Sequence, residues 1–151
     1  MKPKDLSQEQ SLALLSLVNS GRLRRVPIDF DKAERFLFQS QESLSEVGKI
    51  VGAKLKHGIA YDCAHDVAES LVAAYGYATT NMNGQHQTLG EVLRIIFVGS
   101  ETESAAEMFE NVRIDRNNIR YRSNEIGQAQ SESAVLCAQA LLEAATQILH
   151  A

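Results

Sequence analysis

The sequence predicts an all-α protein, a four-helix bundle with additional short helices. Three observations carry this prediction. Apolar residues recur three and four apart through almost the whole chain, and no stretch alternates convincingly with period two. Only two prolines occur, Pro3 and Pro27, both outside the helical patterns. Glycines stand where the periodic stretches stop, at Gly21, Gly58, Gly76 and Gly99.

The first helix is predicted from Ser7 to Asn19. Ser7 and Gln10 have the spacing of a capping box, Leu12, Leu15 and Val18 form the apolar stripe, and Gly21 ends it. A linker with Arg22, Arg24, Arg25 and Pro27 follows. The second helix is expected to start near 29–31 and run to about 55. Its stripe is Phe36, Ser40, Leu44, Val47 and Val51, widened by Ala33, Leu37 and Ile50. Such a helix is ~37 Å long, suited to a bundle. Lys54 and Lys56 favour its C-terminal end, and Gly58 closes it.

The third helix spans about 59–75, with Ala60, Cys63, Ala64, Val67, Leu71 and Ala74 inward and Asp62, Asp66 and Glu69 solvated. Gly76 is its stop. Residues 77–87 are predicted as the longest polar loop, and Thr88 as the cap of a short helix that reaches Val98. A further helix from about 102 to 111, with Ala105, Ala106 and Phe109 inward, runs into an Arg-rich segment. The last helix covers about 126–149 with Ala134, Cys137, Ala138, Leu141, Leu142, Ala145 and Ile148 on its buried face. Residues 1–28 thus read as an N-terminal helix and linker, and 29–151 as the bundle, within a single domain.

Composition narrows the function classes. Of 151 residues, 44% are apolar and 23% charged, which excludes disorder and collagen. A domain of this length buries roughly 68–70% of its unfolded surface and needs no metal or disulfide to stay folded. Uninterrupted apolar runs such as Ile95-Ile96-Phe97-Val98 fall far below the ~20 residues that span a bilayer, and no signal-peptide core is evident. The expectation is a cytoplasmic protein without a membrane partner. Cys63 and Cys137 fall on apolar helix faces, far apart and without a CxxC, so both read as small hydrophobes.

Charge is unevenly placed on a chain of net −4. Residues 1–56 carry ten Lys/Arg against seven Asp/Glu, and residues 57–151 carry five Arg against twelve Asp/Glu. A general duplex-DNA binder would be basic overall, so any nucleic-acid contact here is local. Four of those arginines, Arg113, Arg116, Arg120 and Arg122, crowd into ten residues. If the preceding helix continues, Arg113, Arg116 and Arg120 share one face. Guanidinium groups so arranged bind phosphate bidentately, with Asn117 and Tyr121 adding hydrogen bonding and stacking. The competing reading is a solvated face in which Arg113 and Arg116 pair with Glu110 or Asp115.

Four segments in order add to this: Tyr61-Asp62-x-Ala64-His65-Asp66-Val67-Ala68-Glu69-Ser70-Leu71, then Tyr75-Gly76-Tyr77, then Gly84-Gln85-His86-Gln87-Thr88-Leu89, then Arg116-Asn117-x-x-x-Tyr121. Together, over roughly residues 30–149, they resemble the HEPN superfamily (higher eukaryotes and prokaryotes nucleotide-binding). The resemblance implies an up-and-down four-helix bundle, usually a homodimer, that uses no cofactor. Members include metal-independent ribonucleases, toxins of toxin–antitoxin pairs, and inactive RNA- or nucleotide-binding partners of nucleotidyltransferases.

Arg116 falls on the motif arginine and Asn117 on its polar neighbour. The motif histidine, separated from the arginine by four to six residues, is missing: Tyr121, Arg122 and Ser123 stand there, and counting from Arg113 reaches only Asn118, Ile119 and Arg120. Metal-free RNA cleavage needs a group that exchanges protons near neutral pH while an arginine stabilises phosphorane charge. Tyr121 is a poor base at its ordinary pKa, and His86 serves only if its loop folds back onto Arg116. The expected protein is therefore a non-catalytic or unusual member. The alternatives are an active ribonuclease using Arg116 with Tyr121 or His86, and a helical interaction module with an acidic protein partner.

Other patterns are weaker. Asp62, His65 and Glu69 share a helix face, but the Glu-x-x-His pairs that a di-metal bundle takes from other helices are absent. His57 reads as a helix-end residue and His150 as part of a frayed terminus.

Overall fold

In the computed structural model, which describes residues 1–81 and 84–151, the chain is an all-α bundle of six helices with one two-stranded sheet among the described residues. The helices are α1 (Gln8–Asn19), α2 (Phe30–Val47), α3 (Ala53–Ala74), α4 (Gln85–Phe97), α5 (Glu103–Arg122) and α6 (Gln128–Leu149), and the strands are β1 (Leu23–Arg25) and β2 (Tyr77–Thr79). None of the described helices is long and apolar enough to cross a membrane.

Four helices carry the core and alternate in direction. The Asp29 amide donates to the Ala73 carbonyl, so α2 starts where α3 ends. Phe109 and Arg116 of α5 meet Tyr61 of α3, and Ile119 shares a cavity wall with Leu55, so α5 runs opposite to α3. Cys137 of α6 bonds to the Ala105 carbonyl, while α6 begins beside Asp115, so α6 runs opposite to α5. Helix α3 is the central element. Ala60, Ala64, Val67, Ala68 and Leu71 are all buried, and small residues there let α2 and α6 pack closely on either side.

Helix starts follow local chemistry. Ser7 and Gln10 form the expected capping box, and Asp29 accepts the Lys32 amide at the head of α2. The stripe assigned to α1 is shifted, however: Leu14 and Leu17 are buried and Leu12 is 57% exposed. Twelve residues with apolar side chains on several faces leave tertiary packing to choose the face.

The long second helix is instead two. It breaks at 48–52, where Gly48 ends α2 and Gly52 precedes α3. Two glycines four apart remove side-chain support from one turn, and the intervening Val51 is 86% exposed rather than part of the stripe. Gly58, expected to close a helix, lies inside α3. His57 is accordingly no helix-end residue; it is fully buried in the second turn of α3.

The linker and the polar loop pair with each other. Leu23, Arg24 and Arg25 lie opposite Thr79, Ala78 and Tyr77 in antiparallel register. Three-residue strands are too short to display a period. Gly76 stops α3 as expected, at φ +82°, and a Cβ there would stand 3.1 Å from the Val26 carbonyl oxygen. The expected loop 77–87 is thus β2, then a helix from Gln85; its residues Met82 and Asn83 lie outside the described ones. Thr88 is not the cap of α4. It sits one turn inside, donating to the Gly84 carbonyl and accepting from Arg22 Nε, while Arg22 also pairs with Glu91 at 2.5 Å. His150 is likewise held: Lys2 bridges to it, and its Nε2 lies 3.6 Å from Glu34.

Candidate functional site

The Arg-rich segment is not a separate loop. Helix α5 continues through it to Arg122, which puts Arg113, Arg116 and Arg120 along the face turned to α3. Arg113 forks onto Glu110, with Nε to Oε2 at 3.0 Å and Nη2 to Oε1 at 2.6 Å. That bond holds the Glu110 carboxyl below its ordinary range and raises the guanidinium. The competing reading of Arg113 as an ion-paired residue is therefore correct for that one side chain.

Arg116 differs. Its guanidinium lies over the Tyr61 ring, 4.7 Å from the centroid, and makes no ion pair among the described residues. Tyr61 is 1% exposed and its other neighbour is Phe109, stacked at 5.6 Å between centroids. At the edge of this stack, Tyr61 Oη and His86 Nδ1 are 2.5 Å apart. His65, one turn beyond Tyr61 on α3, faces His86 with ring centroids 4.9 Å apart. The result is a half-open cluster of one tyrosine, two histidines and one arginine, drawn from α3, α4 and α5.

Electrostatics follow from burial. The Tyr61 hydroxyl is pushed up to about 12, chiefly by burial, with Arg116 and Arg113 pulling it back. It therefore stays protonated at any ordinary pH. His86 is held below its usual value by burial first and then by His65, Arg116 and Arg113, so it is neutral at pH 7. The Tyr61–His86 bond has two senses. With the Nδ1 proton donated to the phenol oxygen, His86 Nε2 presents a lone pair outward; with the phenol donating, Nε2 carries a proton outward. The first sense suits a general base and the second a phosphate donor.

Of the residues singled out in the sequence, the fold brings together Arg116, His86 and, less directly, Arg113. Arg120 lies one turn further along, near Asp62, and Asn117 is half-buried on α5. Tyr121 is 77% exposed and outside the cluster. Sequence reasoning missed Tyr61 and the pairing role of His65. The signal was present in the i, i+4 spacing of Tyr61 and His65. Among the described residues, no group of three His, Cys, Asp or Glu side chains could hold a metal ion, so Asp62, His65 and Glu69 do not form a centre.

No family model, no curated protein and no solved structure matches this chain.

Proposed function

We propose that the protein is a HEPN-like RNA- or nucleotide-phosphate-binding bundle that acts as a homodimer, with Arg116 and Arg120 as its principal phosphate ligands. Arg113, Asn117 and Tyr121 border them. The reading includes a role in a toxin–antitoxin-type pair, with a nucleotidyltransferase-type protein as partner. The observation that carries it is Arg116, a half-buried guanidinium stacked on Tyr61 and free of any carboxylate among the described residues. A guanidinium so oriented keeps its donor fork for a ligand. The test is titration of a short single-stranded RNA into the purified protein at several salt concentrations. Contact with two or three phosphates gives log K against log salt a slope of about −1.4 to −2. Binding that ignores salt, or its absence, overturns the reading.

A second reading, metal-independent RNA cleavage, is favoured by one observation: a histidine reaches the arginine after all, through Tyr61. In that reaction His86 Nε2 takes the proton of a 2′-hydroxyl, whose oxygen attacks the adjacent phosphorus. Arg116 stabilises the charge on the non-bridging oxygens, and His65 gives a proton to the departing 5′-oxygen. The product is a 2′,3′-cyclic phosphate. Cleavage in excess chelator that disappears in His86→Ala and persists in Tyr121→Phe supports it. No cleavage between pH 5 and 8 sinks it and leaves binding alone.

A further inference from the structure

We infer that a cavity between the first turns of α3 and the end of α5 is a binding site for a small organic anion, one carboxylate or phosphate head on a compact apolar body. The cavity has a volume of about 500 Å³ and is lined by Arg116 but not by His86. Its wall is mainly aliphatic, from Leu55, Ile59 and Ile119, while Lys54, Arg116 and Arg120 stand around it against the single carboxylate of Asp62. Apolar walls with a few convergent charges are the usual build of a small-molecule pocket, and the excess of cations selects a negative head.

One buried side chain points to a ligand. His57 lines the cavity and is fully buried, yet neither ring nitrogen has a hydrogen-bond partner among the described residues. A buried imidazole with both nitrogens unpaired is unfavourable; both nitrogens are closed to solvent in the empty cavity, so a ligand hydroxyl or ring nitrogen reaches one of them through a small shift of the first turns of α3. Gly58 lines the same cavity from inside a helix and leaves its mouth open. A Cβ there would meet nothing within 4 Å. No close approach requires glycine at that position, and any larger residue would intrude on the open space. The inference shares Arg116 and Arg120 with the proposed phosphate site, but it concerns a discrete small molecule rather than a nucleic-acid strand.

The probes are 2-naphthoate and 2-naphthyl phosphate, with acetate, inorganic phosphate and 2-naphthol as controls, titrated into the full chain by calorimetry. Either naphthyl anion should bind at least tenfold more strongly than the bare anions and the neutral naphthol, and the stronger of the two identifies the preferred head. Addition should move the His57 imidazole signals in NMR spectra. Gly58→Leu, which fills the mouth with a good helix former, should weaken binding at least tenfold at unchanged helicity. Leu55→Trp fills the same mouth from an exposed position if Gly58→Leu fails to fold. Equal binding of inorganic phosphate, unmoved His57 signals, or undiminished affinity in the filled variants overturns the inference, as does no binding at all. The salt-dependent RNA titration separates this from the phosphate-binding reading. RNA bound without the naphthyl anions removes the cavity site alone, and the reverse removes the RNA site alone.

Discussion

At the scale of single residues, Arg116 is placed where ligand binding and stability can be told apart. Its fold contact is the Tyr61 ring, a cation–π arrangement of about 0.5–1 kcal/mol, and no buried carboxylate depends on it. Arg116→Ala should therefore lower stability by no more than about 1 kcal/mol. RNA affinity should fall by about 1.5–3 kcal/mol, the range for a charge-assisted bond. Arg116→Lys keeps the charge and loses the fork, so its affinity should lie between the two. Denaturant melts beside RNA titrations check all three, and a collapse of the midpoint in Arg116→Ala would make the residue structural. His57 gives a pH prediction. Burial holds its pKa below the ordinary value, with Asp115 raising it and Arg116 lowering it further. Below about pH 6.5 the unfolded chain then takes up a proton that folded His57 refuses, so folded stability falls with pH at up to about 1.4 kcal/mol per unit. Asp62 and Glu69, both raised by burial, tilt the curve the other way at lower pH. The difference between wild type and His57→Leu isolates the histidine. The variant should be as stable at pH 8 and relatively more stable at pH 5.5; parallel curves would show that His57 does not titrate with folding.

At the scale of elements, two junctions position the site. The end of α3 must turn sharply so that β2 can pair with β1 and α4 can return His86 to Tyr61. Gly76 makes that turn at positive φ against the Val26 carbonyl and the Ile28 side chain. Gly76→Ala is expected to lose about 1–3 kcal/mol from backbone strain. Its effect should reach the cluster: the Tyr61–His86 bond loosens and the His86 signals shift toward those of a solvated imidazole. NMR of His86 in the variant is the check, and an unchanged spectrum would mean that α4 is held independently, by Arg22 with Thr88 and Glu91. The other junction is α5 itself. Its stop at Ser123, at φ +53°, comes after Arg122 rather than at Asn111. That extension of three turns is what aligns Arg113, Arg116 and Arg120 against α3.

At the scale of the whole molecule, the helical architecture predicts a far-UV spectrum dominated by helix, with strand content below about a tenth, since the described sheet has only two three-residue strands. The proposed homodimer predicts about twice the 16.6 kDa chain mass by light scattering at micromolar concentration. A clean monomer would remove the homodimer from the proposal while leaving the Tyr61–His86–Arg116 cluster intact. The acidic surface of the C-terminal part also has a consequence. The arginine strip is a local positive field on a chain of net −4, so added salt screens its attraction to RNA. The Arg116→Ala comparison is therefore best made at one fixed ionic strength.

Much of the fold was legible along the chain because its signals are local. The capping box at Ser7, the stops at Gly21, Gly76 and Gly99, and the inward stripes of α3 and α6 each depend on residues within a turn or two. Where neighbours decide, sequence reading failed: Gly58 resembles a stop but is carried within α3, and the face of α1 is chosen by what packs on it. The site belongs to this second class. Arg116 was identifiable from arginine spacing alone, but its partner histidine lies thirty residues upstream in α4 rather than on the same helix. The unexpected member, Tyr61, sits on a third helix. No period or motif relates positions 61, 86 and 116, because their separations are set by how α3, α4 and α5 pack. The sequence by itself determined the helices and the arginine face; only tertiary packing decided that a histidine would meet the arginine, since burial beside Phe109 is what holds Tyr61 between them.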